Sequence, residues 1–298
     1  MFRDRQLYLF MLIPLIQLFI FHYMPMYGLT IAFKNFKPAL GIWGSQWVGF
    51  DQFTKFLKSY QFGRIVPNTL ILSLYTILAS FPIPIIFALI LNSMRGERFK
   101  KVTSTITQMP HFISTVVLVG IFMQIFNNRV GLYGNLVMRL TGSYPSDMFG
   151  SAANFRHIYV WTGVWQSFGW NAIIYTAALS GVSPDLHEAA QIDGATRFQR
   201  VLHVDLPCIL PTIVIMLILR SGNVMSVGFE KVFLLQNSLN KSTSDVISTY
   251  VYTIGLSGSG TNNYSYATAI NMFNSVINLI LITLVNWISR KVGETSLW

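Results

Sequence analysis

Six apolar stretches separated by polar segments organise the 298-residue chain: 7–30, 69–91, 110–126, 158–179, 209–229 and 267–288. A helix needs about 20 residues to cross the hydrocarbon of a bilayer, and a lone segment in lipid satisfies its backbone only by coiling into a helix. The pattern therefore predicts an all-α membrane protein of six transmembrane helices, with residues 1–298 forming a single transmembrane domain. The first stretch follows Arg3 and Arg5 in the manner of a signal peptide, but it is too long and no small-residue cleavage site follows it. An uncleaved helix is the expectation. Pro14 and Pro25 in the first span, and Pro82 and Pro84 in the second, predict kinks, which bundled membrane helices tolerate.

Between the fourth and fifth stretches lies a polar island, Glu188-Ala189-Ala190-Gln191-Ile192-Asp193-Gly194, followed nine residues later by Val204-Asp205-Leu206-Pro207. Its chemistry predicts a short helix, a forced turn and a second short helix. Ser183 suits an N-cap, Pro184 the first helical position and Asp185 the positive helix start. Gly194 can take the left-handed conformation that ends the helix. Ala189, Ala190 and Ala195 leave it without bulk, so that another protein's surface can close around it.

Composition agrees with a membrane protein: 52% of residues are hydrophobic and 11% charged, against about 25% charged in soluble domains. The net charge of +10 is scattered through loops with no stripe or recognition motif, which argues against nucleic acid and for contacts with anionic lipid. With both termini cytoplasmic, Lys and Arg divide evenly between the two sides. The cluster Arg95, Arg98, Lys100 and Lys101, directly after the second span, favours the cytoplasmic assignment because charge close to a span orients it. Residues 31–68 form an outer loop rich in Phe and Trp, fit for an aromatic belt or for docking another protein. On the same face, Lys34, Lys37, Lys55, Lys58 and Arg64 would draw an acidic substrate. The single cysteine, Cys208, excludes an internal disulfide and reads as a small packing residue.

No catalytic constellation emerges. His22, His111, His157, His187 and His203 are far apart with no H-E-x-x-H spacing, and there is neither a G-x-S-x-G elbow nor a phosphate loop. Leu256-Ser257-Gly258-Ser259-Gly260 looks superficially like a nucleotide-binding signature, but without a phosphate loop it reads as a flexible loop. No metal site is expected. The predicted spans carry no carboxylate, which weighs against a proton relay. They do carry Arg220, eleven residues into the fifth span and roughly 16 Å deep at about 1.5 Å per residue. An ionisable residue at mid-membrane is a functional candidate, with Asn223 on the same helix face. Asn271, Asn274 and Asn278 form a stripe on the sixth span, suited to interhelical hydrogen bonds or to a substrate. Trp161, Trp165, Gln166, Trp170 and Asn171 on the fourth span are fit either for packing or for stacking a sugar ring.

The spacing E-A-A, three residues, G, nine residues, then an apolar residue, any residue and L-P resembles the cytoplasmic coupling loop of ABC-transporter permeases of the binding-protein-dependent, type I import class. Val204 stands where isoleucine is commoner. The resemblance covers nearly the whole chain and implies a type I importer permease fold with a coupling loop over 181–207. It implies a non-catalytic pore subunit in a bacterial cytoplasmic (inner) membrane. Its partners would be a second, homologous permease forming a heterodimer, two ATPases that bind ATP and Mg, and an extracytoplasmic substrate-binding protein. Glu188, Ala189, Ala190, Asp193, Gly194 and Ala195 would contact the ATPase, and Arg220, Asn223, Asn271, Asn274, Trp165 and Asn171 would line the substrate pathway. A looser resemblance, carried by Arg3-Asp4-Arg5-Gln6-Leu7-Tyr8, Pro14, Tyr23-Met24-Pro25-Met26-Tyr27-Gly28 and Trp47-Val48-Gly49-Phe50-Asp51-Gln52-Phe53, is to the branch that takes up oligosaccharides and polysaccharides, alginate-type polymers among them. The rival class is a stand-alone secondary transporter or channel, against which the loop and the missing carboxylates argue. An intramembrane enzyme comes third.

Overall fold

The computed structural model describes residues 5–257 and 263–293; Gly258 to Gly260 of the glycine-serine segment, together with Arg3 and Asp4, lie outside them. In chain order the main elements are α1 (Tyr8–Phe33), the two-residue strands β1 (Lys34–Asn35) and β2 (Gln46–Trp47), α2 (Asp51–Leu57) and α3 (Phe62–Ser93). Then come α4 (Glu97–Phe112) and α5 (Thr115–Ile125), α6 (Leu132–Thr141), α7 (Ala152–Ser180) and α8 (Pro184–Ile192). The chain continues through α9 (Arg197–Ser221), α10 (Phe229–Leu235), α11 (Ile247–Gly255) and α12 (Tyr264–Gly293). It divides into two compact units, residues 5–65 with 247–276 and residues 66–246 with 277–293.

The first unit is built on rings. Phe56, 1% exposed, is met edge-on by Phe62, Tyr266 and Phe273, and Phe33 packs on Trp47, Phe50 and Phe53. β1 and β2 pair antiparallel, Lys34 opposite Trp47. Much of the aromatic content of residues 31–68 is therefore core, while Trp43, Trp47 and Phe50 stay exposed. Two of the lysines expected on the outer face are already engaged: Lys34 donates to the carbonyl of Ile42 at 2.7 Å, and Lys55 lies over the Tyr266 ring.

In the second unit one apolar cluster joins α3, α5, α7 and α10 around Leu72, Leu118, Phe155, Val160 and Val232. Another joins α3, α7 and α9 around Ala88, Ala172, Leu179 and Ile209. At the crossing of α4 and α7, Gly169 lets the backbones meet: a Cβ there would lie 2.2 Å from the carbonyl oxygen of Thr107. Gly169→Ala must push the helices apart, and overpacking costs about 1–3 kcal/mol. A lower thermal midpoint of the detergent-purified protein is the expected result; an unchanged midpoint would contradict this packing.

Among the described residues four helices, α1, α3, α9 and α12, are long and apolar enough to cross a membrane. At most 33% of each apolar window is buried, so their hydrophobic residues mostly face outwards, as in lipid, where packing rather than water exclusion associates helices. The fifth candidate is the pair α4 and α5, bent by 97°. This corrects the expected third span: 110–126 is not one helix. Pro110 has no N–H to continue α4, and Ser114 caps a fresh helix by accepting from Val117 N. Gln166 donates to the carbonyl of Ile113 at 2.8 Å, which the bend leaves without a helical partner. α7 has 29 residues, about 43 Å at 1.5 Å each, long enough to cross, with Thr162, Gln166 and Asn171 lowering its hydropathy.

The fifth expected span, 209–229, is displaced. α9 begins at Arg197 and ends at Ser221, and residues 222–228 are not helical. Hydropathy ran on through Val224, Met225 and Val227 because these are buried, but Ser221-Gly222-Asn223 stops the helix. Asn278 on α12 secures the segment, accepting from Met225 N at 2.8 Å and donating to Ser226 Oγ at 2.9 Å. Proline marks the other irregularities. The wide π-turns Phe19–Tyr23 and Val201–Asp205 immediately precede Pro25 and Pro207, whose rings exclude the carbonyl four residues back. Cys208 is exposed on α9 rather than packed.

Candidate functional site

The loop between α7 and α9 is held by a complete set of local signals. Ser183 Oγ accepts from Asp185 N at 3.3 Å, with Pro184 in the first turn of α8. At the other end Gly194 has φ +79°. Gly194 N donates to Gln191 O at 3.0 Å and Ala195 N to Ala190 O at 2.9 Å, the paired bonds of a Schellman cap. Thr196 then opens α9 with a capping box: its N–H donates to Gln199 Oε1 at 2.8 Å while its Oγ1 accepts from Gln199 N. That capping box, an S/T-x-x-E/Q signal, is readable in the sequence and escaped the reading above.

Glu188, Ala189, Asp193 and Gly194 are exposed, and Ala190 and Ala195 half-buried. A cavity of about 260 Å³, lined by Ala190, Asp193, Gly194, Ala195 and Gln199 among others, separates the end of α8 from the start of α9. Two large apolar side chains stand out from the loop: Ile192, 88% exposed, and Phe198, 70% exposed. Sequence reasoning passed over both. Their signal is apolar bulk inside a polar island.

Among the expected pathway residues the structure brings together two. Arg220 and Asn223 line a cavity of about 290 Å³ with Ser73, Thr76, Tyr159 and Ser226. Arg220, expected near mid-membrane, sits at the end of its helix. It occupies the last turn of α9, where a cation is favoured by the helix dipole, and its Nη1 donates to Ser80 Oγ on α3. Ser73, Thr76 and Ser80 recur at i, i+3 and i+7, a polar stripe in an apolar span that would have located this wall. Trp165 instead lines a separate apolar cavity of about 530 Å³ with Phe122 and Trp161. Asn171 is half-buried on α7 and lines neither. Trp161 donates to Tyr75 Oη at 2.9 Å and Trp170 stacks on His111, and both side chains remain exposed. Asn271 and Asn274 belong to the first unit, where Asn274 Oδ1 is buried with no hydrogen-bond partner among the described residues.

Lys231 is buried in α10. Its Nζ donates to Tyr159 O at 2.9 Å and lies over the Tyr159 ring. Burial pushes its ammonium group down to about 7. Among the described residues no group of three or more His, Cys, Asp or Glu is placed to hold a metal ion.

Comparison with known proteins agrees over the whole length. The chain is 42% identical to the protein LplB of Bacillus subtilis over 99% of this chain and 92% of that one. It is 37% identical to the polygalacturonan/rhamnogalacturonan transport system permease protein YteP of Bacillus subtilis, over 99% and 91%. In three dimensions it is similar, with a TM-score of 0.89 and 37% identity over 99% of this chain and 97% of the other, to a bacterial alginate ABC transporter solved with an alginate pentasaccharide-bound periplasmic protein. With a mostly helical fold, several membrane-spanning helices and a family match over residues 4–294, the chain belongs to the inner membrane components of binding-protein-dependent transport systems, the non-catalytic permease subunits of ABC importers.

Proposed function

We propose that this permease passes an oligo- or polysaccharide, acidic in character, from an external binding protein to the cytoplasm, and that its loop 181–207 is where ATPase subunits act on it. The observation that carries the reading is the loop itself: a helix capped at both ends, exposed on nearly every side, with Glu188 and Ile192 outward. Partner ATPases would supply ATP and Mg chemistry. What this chain contributes is a rigid lever whose displacement switches packed spans between two arrangements. A second, homologous permease completes the pore as a heterodimer.

The saccharide class rests on relatives named for polygalacturonan and alginate transport and on Arg220, whose planar guanidinium suits carboxylate and hydroxyl groups. Cytoplasmic termini are supported by Arg95, which follows the second span and lines one cavity with His187, Arg197 and Arg200 of the loop; the basic cluster and the lever thus share a face.

Reconstitution tests the whole reading. The complete complex in proteoliposomes, supplied with its binding protein, ATP and a labelled uronate oligosaccharide, is expected to accumulate the sugar; the chain alone is expected to do nothing. Uptake by the lone chain, driven by an ion gradient, would establish the secondary-transporter alternative.

A further inference from the structure

α8 buries almost nothing. Of Pro184–Ile192 only His187 and Ala190 are less than exposed, and short connections join it to α7 and α9. A push on this helix travels through those connections, which can bend, or through side-chain contacts with the spans. His187 makes such a contact. Its Nε2 lies 3.1 Å from Oδ1 of Asp205, whose side chain is 3% exposed. Asn92, in the last turn of α3, places Nδ2 3.4 Å from the same oxygen. One buried carboxylate thus joins α8, α9 and α3.

The backbone at this point is special for a reason that lies in the sequence. Asp205 closes the π-turn Val201–Asp205, which Pro207 forces by excluding the carbonyl of His203; such wide turns inside helices gather at functional sites. The space alongside is a cavity of about 360 Å³ lined by Asn92, Arg95, His187, Arg200 and Asp205, so polar contact rather than apolar packing connects the loop to the spans here. A buried carboxylate deprived of its partners is costly, which keeps the three groups together as the helices move.

From this geometry we infer that Asp205 is the pin through which displacement of α8 reaches α3 and α9 together. It is a positioning residue for coupling, and the inference rests on α8 being the ATPase contact. The span reading placed Asp205 in a loop and so gave it no such role.

The test uses the complete reconstituted complex and reads labelled uronate oligosaccharide moved per ATP hydrolysed, alongside ATPase co-purification. His187→Leu and Asp205→Leu are each expected to lower that ratio about tenfold, the scale on which networks between distant sites modulate coupling, with co-purification at wild-type stoichiometry. The double variant should be no worse than Asp205→Leu alone. Asp205→Asn, which keeps an acceptor oxygen in place, should recover most of the ratio. A residue needed only for stability would lower yield or thermal midpoint and leave the ratio of the surviving complex untouched. A wild-type ratio in His187→Leu, or additive losses in the double variant, overturns the pin. So does loss of the ATPase from His187→Leu, which would make His187 a docking residue. If Asp205→Leu does not assemble, His187→Leu decides, since its half-exposed position tolerates leucine. Failure of the ATPase-contact reading shows elsewhere, as normal co-purification and transport in Gly194→Val.

Discussion

Uptake in a complex carrying Gly194→Val is expected to fall at least about tenfold while the chain still inserts in the membrane. The residue has φ +79° and a Cβ there meets nothing within 4 Å, so the substitution acts on the backbone alone. A side chain in the left-handed region costs roughly 1–2 kcal/mol, more for a β-branched residue, and 1–2 kcal/mol is a factor of about 5–30 in a two-state balance. Escape to negative φ breaks the bonds from Gly194 N to Gln191 O and from Ala195 N to Ala190 O, which set the angle between α8 and the base of α9. ATPase co-purification should fall in parallel with uptake. Gly194→Asn should be milder, because asparagine visits the left-handed region more readily. Wild-type co-purification together with wild-type uptake in Gly194→Val would remove the loop from the coupling role.

Arg220→Met should reduce uptake of a uronate oligosaccharide about 10- to 100-fold, since a hydrogen bond to a charged group contributes about 1.5–3 kcal/mol. Basal ATP hydrolysis and subunit assembly should be unchanged. Methionine fills a comparable volume in the cavity shared with Asn223, Tyr159 and Thr76, and Ser80 can turn its freed hydroxyl to a nearby backbone carbonyl. Arg220→Lys should restore part of the rate, because an ammonium keeps the charge and loses the planar fork. Failure of Arg220→Met to assemble with the partner permease would make the residue a packing element. Unchanged uptake of the acidic sugar would exclude it from the pathway.

Local chemistry was the part of this protein that could be read before folding. Ser183, Pro184, Gly194 and the E-A-A spacing specify α8 and its caps through contacts within a few residues, and the structure has those caps. Apolar stretches located the helices for the same reason, since each satisfies its own backbone wherever it finally packs. Hydropathy failed where burial and helicity part company. Residues 222–228 carry the buried apolar side chains of Val224, Met225 and Val227 yet are unwound, and the third stretch is two helices at 97°, because the partner groups that stabilise these breaks, Asn278 and Gln166, come from distant helices.

The candidate pathway divides along the same line. Arg220 and Asn223 lie three residues apart and share a wall, although Asn223 belongs to the unwound segment after α9 and not to the helix face that the spacing predicts. Trp165, on another helix, turns to a different cavity, and no periodicity within one span reveals which neighbour its face meets. The meeting of His187 and Asn92 at Asp205 needed three separate segments to be brought to one point. What the sequence by itself determined was where most of the long apolar helices lie, the caps of α8 and the coupling-type loop, all built from interactions between residues close in the chain. Only the tertiary structure decided which polar side chains share a cavity and which carboxylate ties the loop to the spans, because those pairings depend on how helices far apart in sequence rotate and cross.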